Sequence, residues 1–221
     1  MILVFLGPPG CGKGTQAQYL YEKENFFHLS TGQILRWEME AKSPLGLKIQ
    51  DTITAGQYVD DDIMLSLIEK TIVHLKAKNV LFDGFPRTLR QAQSFEDLLS
   101  RQGKAVNVVA YFSLPDEILV ERIIGRFNCV QCGRVYHDQN NRPLVDNVCD
   151  NCGGTQFTRR SDDTIESLRQ RLKIYYESTK LLVDYYKEKK VLKEIDAAQS
   201  LEKVTAQLMT AINPHLNDDK E

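Results

Sequence analysis

The stretch GPPGCGKGT, from Gly7 to Thr15, decides the fold of this 221-residue chain. It follows the apolar run ILVFL and precedes KGTQAQYLYEKE, whose apolar residues recur at helical intervals. Strand, glycine loop and helix in this order satisfy the pattern Gly-x4-Gly-Lys at Gly7, Gly12 and Lys13. Glycines let backbone amides turn towards phosphate oxygens, and the lysine supplies charge for the β and γ phosphates. The stretch therefore predicts a phosphate-binding loop, with a tight turn that binds nothing as the alternative.

The loop departs from the general motif at one position. Gly14 stands where Ser or Thr is usual, and the hydroxyl comes one place later, at Thr15. This departure weakens the usual assignment of a direct hydroxyl ligand to Mg²⁺. Cys11 is interpreted as a small filler of the loop, because it lacks the Cys-x-x-Cys partner of a metal ligand.

Outward from the loop, strand patterns alternate with helical patterns. NVLFDGFP (79–86), VNVVAYFSLP (106–115) and VLKEID (191–196) are short runs rich in β-branched residues, the first two closed by Pro. The alternation predicts an α/β fold with a parallel sheet covered by helices, and ligands at the carboxyl ends of the strands. A helical insertion is predicted between Ser30 and Asp60, and a second insertion over about 127–159.

Composition narrows the class of protein. Net charge is −2, so no strongly basic field indicates a nucleic-acid partner. No apolar run reaches the roughly 18 to 20 residues of a membrane span, and the opening residues lack the features of a signal peptide. We therefore expect a cytoplasmic protein with no membrane partner.

Cysteines dominate the second insertion. Cys129 and Cys132 repeat the two-residue gap of Cys149 and Cys152, a spacing typical of a four-thiolate zinc site. Four protein ligands leave no open position for water or substrate, so the site is predicted to be structural. The alternatives are free thiols or a zinc ribbon that binds nucleic acid. Residues 127–159 hold three Arg and no Lys against three Asp, which disfavours the ribbon.

Four further stretches occur in order along the chain: LSTGQILR (29–36), AGQYVDD (55–61), FDGFPRTLRQA (82–92) and RRSDDTIESLRQRL (159–172). Together with the glycine loop they resemble the adenylate kinase family, and the cysteine segment resembles the zinc-binding lid of its long, bacterial-type members. The resemblance implies a P-loop nucleoside monophosphate kinase fold. It also implies a core at 1–29, 60–125 and 163–221, an NMP-binding insertion at 30–59 and a lid at 126–162.

The implied function is reversible phosphoryl transfer from ATP to AMP giving two ADP, with Mg²⁺, in purine nucleotide homeostasis. The implied partners are the small molecules ATP, AMP and ADP, and the implied state is a monomer that binds no nucleic acid. Two alternatives stay open: a kinase for another nucleoside monophosphate, or a zinc-ribbon ATPase that depends on nucleic acid.

The resemblance also implies site residues, by matching motif positions. Those implied around ATP are Gly10, Cys11, Gly12, Lys13, Gly14, Thr15, Arg122, Arg126, Val135, Tyr136 and Gln199. Those implied around AMP are Thr31, Arg36, the backbone of Gln57, Tyr58 and Val59, then Gly84, Phe85, Pro86, Arg87, Gln91, Arg160 and Arg171. Lys13, Arg87, Arg126, Arg160, Arg171, Asp83, Asp162 and Asp163 are implied in catalysis.

The arginines have a physical reason. Phosphoryl transfer requires two polyanions held in line with their charge neutralised, and guanidinium forks suit phosphate. By resemblance, Arg36 and Arg87 bind the acceptor phosphate and Arg122 packs on the donor base. By the same resemblance, Arg126, Arg160 and Arg171 span the transferring group. Surface arginines in ordinary salt bridges are the alternative, and lid packing is the alternative for Val135 and Tyr136.

The acidic and amide residues carry alternatives too. Asp83, at a strand end, is implied to act through metal-bound water or else caps the next turn. Asp162 and Asp163 are implied to support catalysis; alternatively, Asp163 forms a capping box with Glu166 and serves stability alone. Gln91 can pair with adenine through one donor and one acceptor, or lie at the surface as a polar residue at a helix start.

The resemblance has one further implication and two departures. The Phe85–Pro86 peptide is implied to be cis. Gln33 replaces a common acid of the family motif, and Ala197 replaces a glycine near the donor adenine. Neither departure removes a phosphate contact, so we expect altered tuning and retained function.

Overall fold

The computed structural model describes residues 1–73, 77–139, 141–160 and 162–216; the tail at 217–221 lies outside them. The strands of this part of the chain are β1 (Ile2–Leu6), β2 (Phe27–Ser30), β3 (Val80–Asp83), β4 (Val108–Ser113), β5 (Arg126–Cys129), β6 (Val135–His137), β7 (Phe157–Thr158) and β8 (Leu192–Asp196). Parallel strands in the order β2-β3-β1-β4-β8 form the central sheet. The predicted parallel α/β fold is confirmed, while β2 has no counterpart among the predicted strands.

Helices follow most of these strands. They are α1 (Lys13–Lys23), α2 (Thr31–Glu40), α3 (Pro44–Thr54), α4 (Asp61–Val73), α5 (Leu89–Ser100), α6 (Asp116–Ile124), α7 (Ile165–Ile174), α8 (Leu181–Glu188) and α9 (Leu201–Leu216). Local sequence sets several starts, since the side chains of Ser30, Ser43 and Thr88 accept hydrogen bonds from amides of the first turns of α2, α3 and α5. None of the helices in the described ranges is long and apolar enough to cross a membrane.

The central strand β1 supplies both faces of the core. Val4 and Leu6 pack in a cluster with residues of α2, α4 and α5, whereas Leu3 and Phe5 pack with residues of α1 and α9. Side chains of a strand alternate between faces, so a continuous apolar run is what a sheet covered on both sides requires. The sheet edge at the carboxyl ends is left for polar loops.

Helix α7 passes into α8 through a π-helical turn, Tyr175–Thr179. The wider turn is closed by the amide of Lys180, which donates to the Tyr175 carbonyl at 2.8 Å. Such turns interrupt the α-helical hydrogen-bond ladder and occur often at functional sites. Here the turn ends at Thr179, which is buried beside the cavity described below.

The second insertion forms a small antiparallel sheet in the order β6-β5-β7. Phe127, Tyr136 and Phe157 contact one another on it, with ring centroids 5.6 to 5.7 Å apart. This cluster packs against the cysteines and gives the segment a small apolar centre of its own.

Candidate active site

The glycine loop runs from the carboxyl end of β1 into α1, as predicted. Gly7 has φ +146°, and a Cβ there would lie 2.7 Å from the backbone oxygen of Phe112, so a side chain does not fit. Lys13 is the first residue of α1, and its Nζ donates to the carbonyls of Gly7 and Pro8 at 2.8 Å each. Gly14 has open space where its Cβ would be. The loop is therefore a preformed cradle with free room beside the helix N-terminus.

A cavity of about 450 Å³ opens at this loop. The site residues from the sequence analysis that line it are Gly10, Cys11, Gly12, Lys13, Gly14, Thr15, Arg36, Tyr58, Asp83, Gly84, Pro86, Arg87, Arg122, Arg126, Val135, Tyr136, Arg160, Arg171 and Gln199. They come from the loop, from the carboxyl ends of the strands and from both insertions. The fold thus brings residues from distant parts of the sequence to one space.

A smaller cavity of about 70 Å³ adjoins the first. Its lining includes Thr31, Arg36, Gln57, Tyr58, Val59, Gly84, Arg87, Gln91, Asp162 and Arg171. Arg36, Tyr58, Gly84, Arg87 and Arg171 line both cavities, so these residues stand at the passage between them.

Two of the site residues implied by the resemblance, Phe85 and Asp163, line neither of these two cavities. Phe85 is fully buried, with its ring centroid 5.3 Å from that of Phe95, so only its backbone can contribute to a site. Its peptide bond to Pro86 is cis, as the resemblance implied. The side chain of Asp163 is 3% exposed and forms an ion pair with Arg126.

Ion pairs hold the arginines in place. Arg126 binds Asp163 through two nitrogens, with Nε to Oδ2 at 2.8 Å, and Arg171 Nη1 lies 3.1 Å from Asp162 Oδ2. Burial, together with Arg126 and Arg36, lowers the pKa of Arg160 to about 9. The positive charges are crowded and partly desolvated, an arrangement that a bound polyanion would relieve.

The two aspartates therefore pair with arginines and do not cap a helix. The cap of α7 is Thr164, whose Oγ1 accepts from the amide of Ser167 at 3.1 Å. The capping box considered for Asp163 is not formed, because the N-cap residue of α7 is Thr164, one residue later. The side chain of Asp163 binds Arg126 instead.

Asp83 ends β3 inside the larger cavity. Its Oδ2 lies 3.5 Å from His28 Nε2, which belongs to β2. Burial alone would raise the pKa of Asp83, but His28, Lys13 and Arg87 outweigh burial and lower that pKa to about 2. The carboxylate stays ionised at neutral pH and can serve as a ligand or a water-holding group for a hard cation.

Gln91 is buried and its amide already has partners. Oε1 accepts from the amide of Arg87 at 2.8 Å, and Nε2 donates to Asp61 at 2.6 Å. An amide oxygen has two lone pairs and the NH₂ group two hydrogens. One of each therefore stays available, and adenine pairing by Gln91 remains a prediction.

On the other side of the cavity, Arg122 Nη2 donates to the carbonyl of Ala197 at 3.1 Å. This contact uses the backbone, so it does not depend on the glycine that Ala197 replaces. Gln199 is held by Asp196, which accepts from its Nε2 at 2.8 Å. Gln33, the other departure, lies on the cavity wall facing the second insertion, where a Cβ on Gly133 would be 3.3 Å from its Nε2.

The four paired cysteines form a candidate metal centre. Their sulfurs all lie within 4.8 Å of one another, with Cys129 to Cys152 at 3.6 Å and Cys132 to Cys149 at 3.5 Å. A tetrahedral ion with metal–sulfur bonds of about 2.3 Å would separate its sulfurs by about 3.8 Å, so the set fits such an ion. The cluster could hold a metal.

The backbone of each cysteine pair makes the same turn. Gly133 and Gly153 have φ +75° and +71°, and their amides donate to the carbonyls of Cys129 and Cys149 at 2.9 Å. Burial alone would raise the pKa of Cys149, but the hydrogen bond from Tyr136 and neighbouring amides outweigh it and lower that pKa to about 6. Thiolate is the form that binds metal.

Some residues of the site were missed from the sequence. His28 pairs with Asp83 although no role was predicted for it, since its strand spans four residues and gives little periodicity. Thr179 lines the larger cavity, and the sequence carries no signal for the π-helical turn that places it. Tyr58 was implied through its backbone, whereas its ring is what faces Arg87.

A phosphate-binding loop at the carboxyl end of a parallel sheet, facing a cavity rich in guanidinium groups, defines a P-loop nucleotide phosphotransferase. No histidine, serine or cysteine nucleophile is needed for such chemistry. The adjoining cavity extends this space beyond Arg36, Arg87 and Arg171.

Comparison with known proteins identifies the family. The family model described as adenylate kinase matches residues 5–191. The chain is 41% identical to an adenylate kinase of Allorhizobium ampelinum over 214 residues, which covers 96% of this chain and 99% of that relative. It is 42% identical to an adenylate kinase of Rhizobium etli over 209 residues, or 94% and 97% of the two chains. The adenylate kinase of Carboxydothermus hydrogenoformans is 40% identical over 213 residues, 96% and 99%. The chain belongs to the adenylate kinase family and is a phosphotransferase.

Proposed function

We propose that this chain transfers the terminal phosphoryl group of ATP to AMP, reversibly, giving two ADP. An oxygen of the AMP phosphate attacks the γ phosphorus, the bond from that phosphorus to the β–γ bridging oxygen breaks, and ADP leaves. The observation that carries the proposal is the pair of joined cavities, one at the phosphate-binding loop and one behind Thr31, with guanidinium groups of Arg36, Arg87 and Arg171 between them.

The residues divide the work by position. Lys13 and the loop amides hold the β and γ phosphates of ATP, and Lys13 exchanges its bonds to the Gly7 and Pro8 carbonyls for phosphate oxygens. Arg36 and Arg87 hold the acceptor phosphate. Arg126, Arg160 and Arg171 stabilise charge on the transferring group.

The acids keep this charge ordered. Asp163 fixes Arg126 with two bonds and Asp162 fixes Arg171, so the guanidinium groups are positioned before substrate arrives. Mg²⁺ enters with ATP and supplies positive charge at its phosphates. Asp83 and Thr15 are the residues that would hold it, directly or through water.

For the cysteine centre we propose zinc. The four sulfurs, the two glycine turns and the hydrogen bond from Tyr136 support a closed tetrahedral thiolate site with no position for substrate. The ion would tie β5 to the loop at Cys149 and Cys152, and the segment 126–162 would then move as one body when it covers ATP. The segment 30–59 would close over AMP in the same way.

We also propose that the chain acts in the cytoplasm as a monomer without nucleic acid. None of its five cysteines, all of which lie in the described residues, forms a disulfide, as expected in a reducing compartment. The net charge of −2 gives no general attraction to polynucleotides. Light scattering of the purified protein measures the oligomeric state.

The test of the activity is one assay with several acceptors. Purified protein with ATP and Mg²⁺ should form ADP when AMP is added and not when CMP, UMP or GMP replaces it. Preference for another monophosphate would shift the proposal to a different acceptor. ATP hydrolysis that needs DNA or RNA, with no transfer to AMP, would overturn it.

A further inference from the structure

Tyr58, in the loop between α3 and α4, contacts Arg87 through its ring. The guanidinium carbon of Arg87 lies 4.7 Å from the ring centroid, within the distance of a cation–π contact. Both residues line both cavities, so the contact lies where the two spaces meet. The ring therefore covers one side of a cation that faces the ligands.

The hydroxyl of Tyr58 is also engaged. It lies 3.0 Å from Thr179 Oγ1, and Thr179 Oγ1 donates to the backbone carbonyl of Arg87 at 3.0 Å. A threonine hydroxyl has one hydrogen, and that hydrogen is used on the carbonyl. The Tyr58 hydroxyl is therefore the donor in the first bond, and a chain of two hydrogen bonds runs from Tyr58 through Thr179 to Arg87.

Thr179 is suited to this link by its position. It is the last residue of the π-helical turn and has an exposure of 6%, so its hydroxyl is shielded from competing water. A hydrogen bond between shielded groups keeps its geometry better than an exposed one. Three separate segments, at 58, 87 and 179, are fixed to one another by this arrangement.

The rest of Arg87 is held from the opposite direction. Its Nε donates to the Gly84 carbonyl at 2.7 Å, and its amide donates to Gln91. Within the described residues, Nη1 and Nη2 have no hydrogen bond to another side chain or carbonyl. The backbone, Nε and one face of the guanidinium are thus fixed, and the two terminal nitrogens are left for a ligand.

We infer that the Tyr58 side chain is a positioning residue for the acceptor phosphate. Its ring and its hydrogen-bond chain through Thr179 hold Arg87 in the orientation that binds the phosphate of AMP. The inference rests on the proposed function, and it assigns to the side chain a role beyond the backbone contact implied by the family motif. Tyr58 acts through Arg87, so its removal should weaken AMP binding and leave ATP binding intact.

The first test compares Tyr58→Leu, Tyr58→Phe and Thr179→Val in steady-state assays and in AMP titrations followed by NMR. We expect Tyr58→Leu to raise the KM for AMP about tenfold, with kcat lowered less than about threefold and the KM for ATP within about twofold. Tyr58→Phe keeps the ring and loses the hydroxyl, and Thr179→Val breaks the same link. Each should raise the KM for AMP about threefold.

A matched control is Tyr21→Leu, because Tyr21 lies on α1 with 60% of its surface exposed and lines neither cavity. It should leave both KM values unchanged. Thermal unfolding of every variant separates lost positioning from lost folding. If Tyr58→Leu fails to fold, Tyr58→Phe and Thr179→Val carry the test on their own.

A double-mutant comparison decides whether Tyr58 acts through Arg87. Added to Arg87→Ala, Tyr58→Leu should change the Kd for AMP by less than about twofold, because the group it positions is gone. An undiminished tenfold loss in that background would overturn the inference and indicate direct contact with the nucleotide. Equal AMP affinity of Tyr58→Leu and the unaltered protein would also overturn it.

The failure of the proposed function looks different. If the unaltered protein does not bind AMP in the same titration, the proposed acceptor is wrong and this inference falls with it. If the unaltered protein binds AMP and the Tyr58 and Thr179 variants bind it equally well, the function stands and the inference alone is wrong.

Discussion

The phosphate-binding loop and the cysteine turns both bend at glycines, but the loop encloses open space whereas the cysteine turns enclose a closed cluster of sulfurs. Both use glycines at positive φ to bend the backbone, as at Gly12 and Gly133. At the loop the bend leaves open space, with Lys13 bonded to carbonyls that a phosphate can replace. At the cysteines the bend points four sulfurs at one another within 4.8 Å and leaves room for a single ion.

This difference distinguishes a site that acts on substrates from a site that stabilises the fold. A site that acts on substrates keeps charges without full compensation and a volume beside them, here about 450 Å³. A structural metal site places all its ligands on one enclosed ion and keeps no position for substrate. The paired Cys-x-x-Cys pattern is the more conspicuous motif, yet its closed geometry is the reason that we propose a structural role for it.

The largest effect that would break this contrast concerns Lys13. We expect Lys13→Ala to lower kcat by about a thousandfold, because the substitution removes the positive charge that we propose stabilises the phosphates during transfer. Stability should change little, because the lysine bonds two carbonyls that water can satisfy. The measurements are steady-state kinetics and Tm. Activity within about tenfold of the unaltered protein would remove Lys13 from the phosphate site.

The next effect concerns Cys149, and it should have the reverse pattern. Cys149→Ser removes one of four ligands, and we expect loss of bound metal and a Tm lower by about 10 °C, which corresponds to about 3 kcal/mol in a chain of this size. Turnover at low temperature should stay within about threefold. Metal analysis, calorimetry and the coupled assay measure the three quantities on one preparation.

The contrast would fail if Cys149→Ser protein were folded, with an unchanged Tm, and inactive. That outcome would make the metal catalytic. The control is Cys11→Ser, since Cys11 is a buried cysteine of the loop that is not part of the cluster. It should leave the metal content unchanged.

The sequence predicted the first region well because its signals are local. Five apolar residues, a glycine loop and a helical pattern lie within 24 residues, and β1, the loop and α1 formed where expected. The parallel sheet followed from the alternation of strand and helix patterns. The cysteine spacing likewise predicted a cluster that the structure brings together.

Other parts of the site depend on contacts between distant residues. The capping of α7 by Thr164 is decided by one residue of register, which the competing bond between Asp163 and Arg126 fixes over 37 positions of sequence. The contact of Tyr58 with Arg87 requires the return from α3, the end of β3 and the π-helical turn to meet. No local pattern contains that information.

A smaller effect concerns Tyr136, which belongs to both regions. It lines the larger cavity, its hydroxyl donates to Cys149 Sγ at 3.3 Å, and the same oxygen accepts from the amide of Asp150 at 2.8 Å. We expect Tyr136→Phe to weaken metal binding about tenfold, as loss of a hydrogen bond to a metal ligand does. Competition with a chromophoric chelator measures the affinity. An unchanged affinity would show that the hydroxyl serves the amide alone.

The smallest effect concerns Asp83, which lines the larger cavity, and is a loss of folding stability at low pH. Its pKa is about 2 in the folded protein, below the ordinary value near 3.8. A lowered carboxyl pKa stabilises the fold above the ordinary pKa, and that contribution is lost as pH falls from about 4 to about 2. From pH 4 to pH 2.5, the free energy of unfolding should therefore fall by about 1 kcal/mol more in the unaltered protein than in Asp83→Asn. Urea titrations at both pH values measure it, and because the other carboxylates and the cysteine centre are common to both proteins, their contributions cancel. Equal losses would mean that His28, Lys13 and Arg87 do not stabilise the charged form of Asp83. The carboxylate would then be no more stable in the cavity than it is in water.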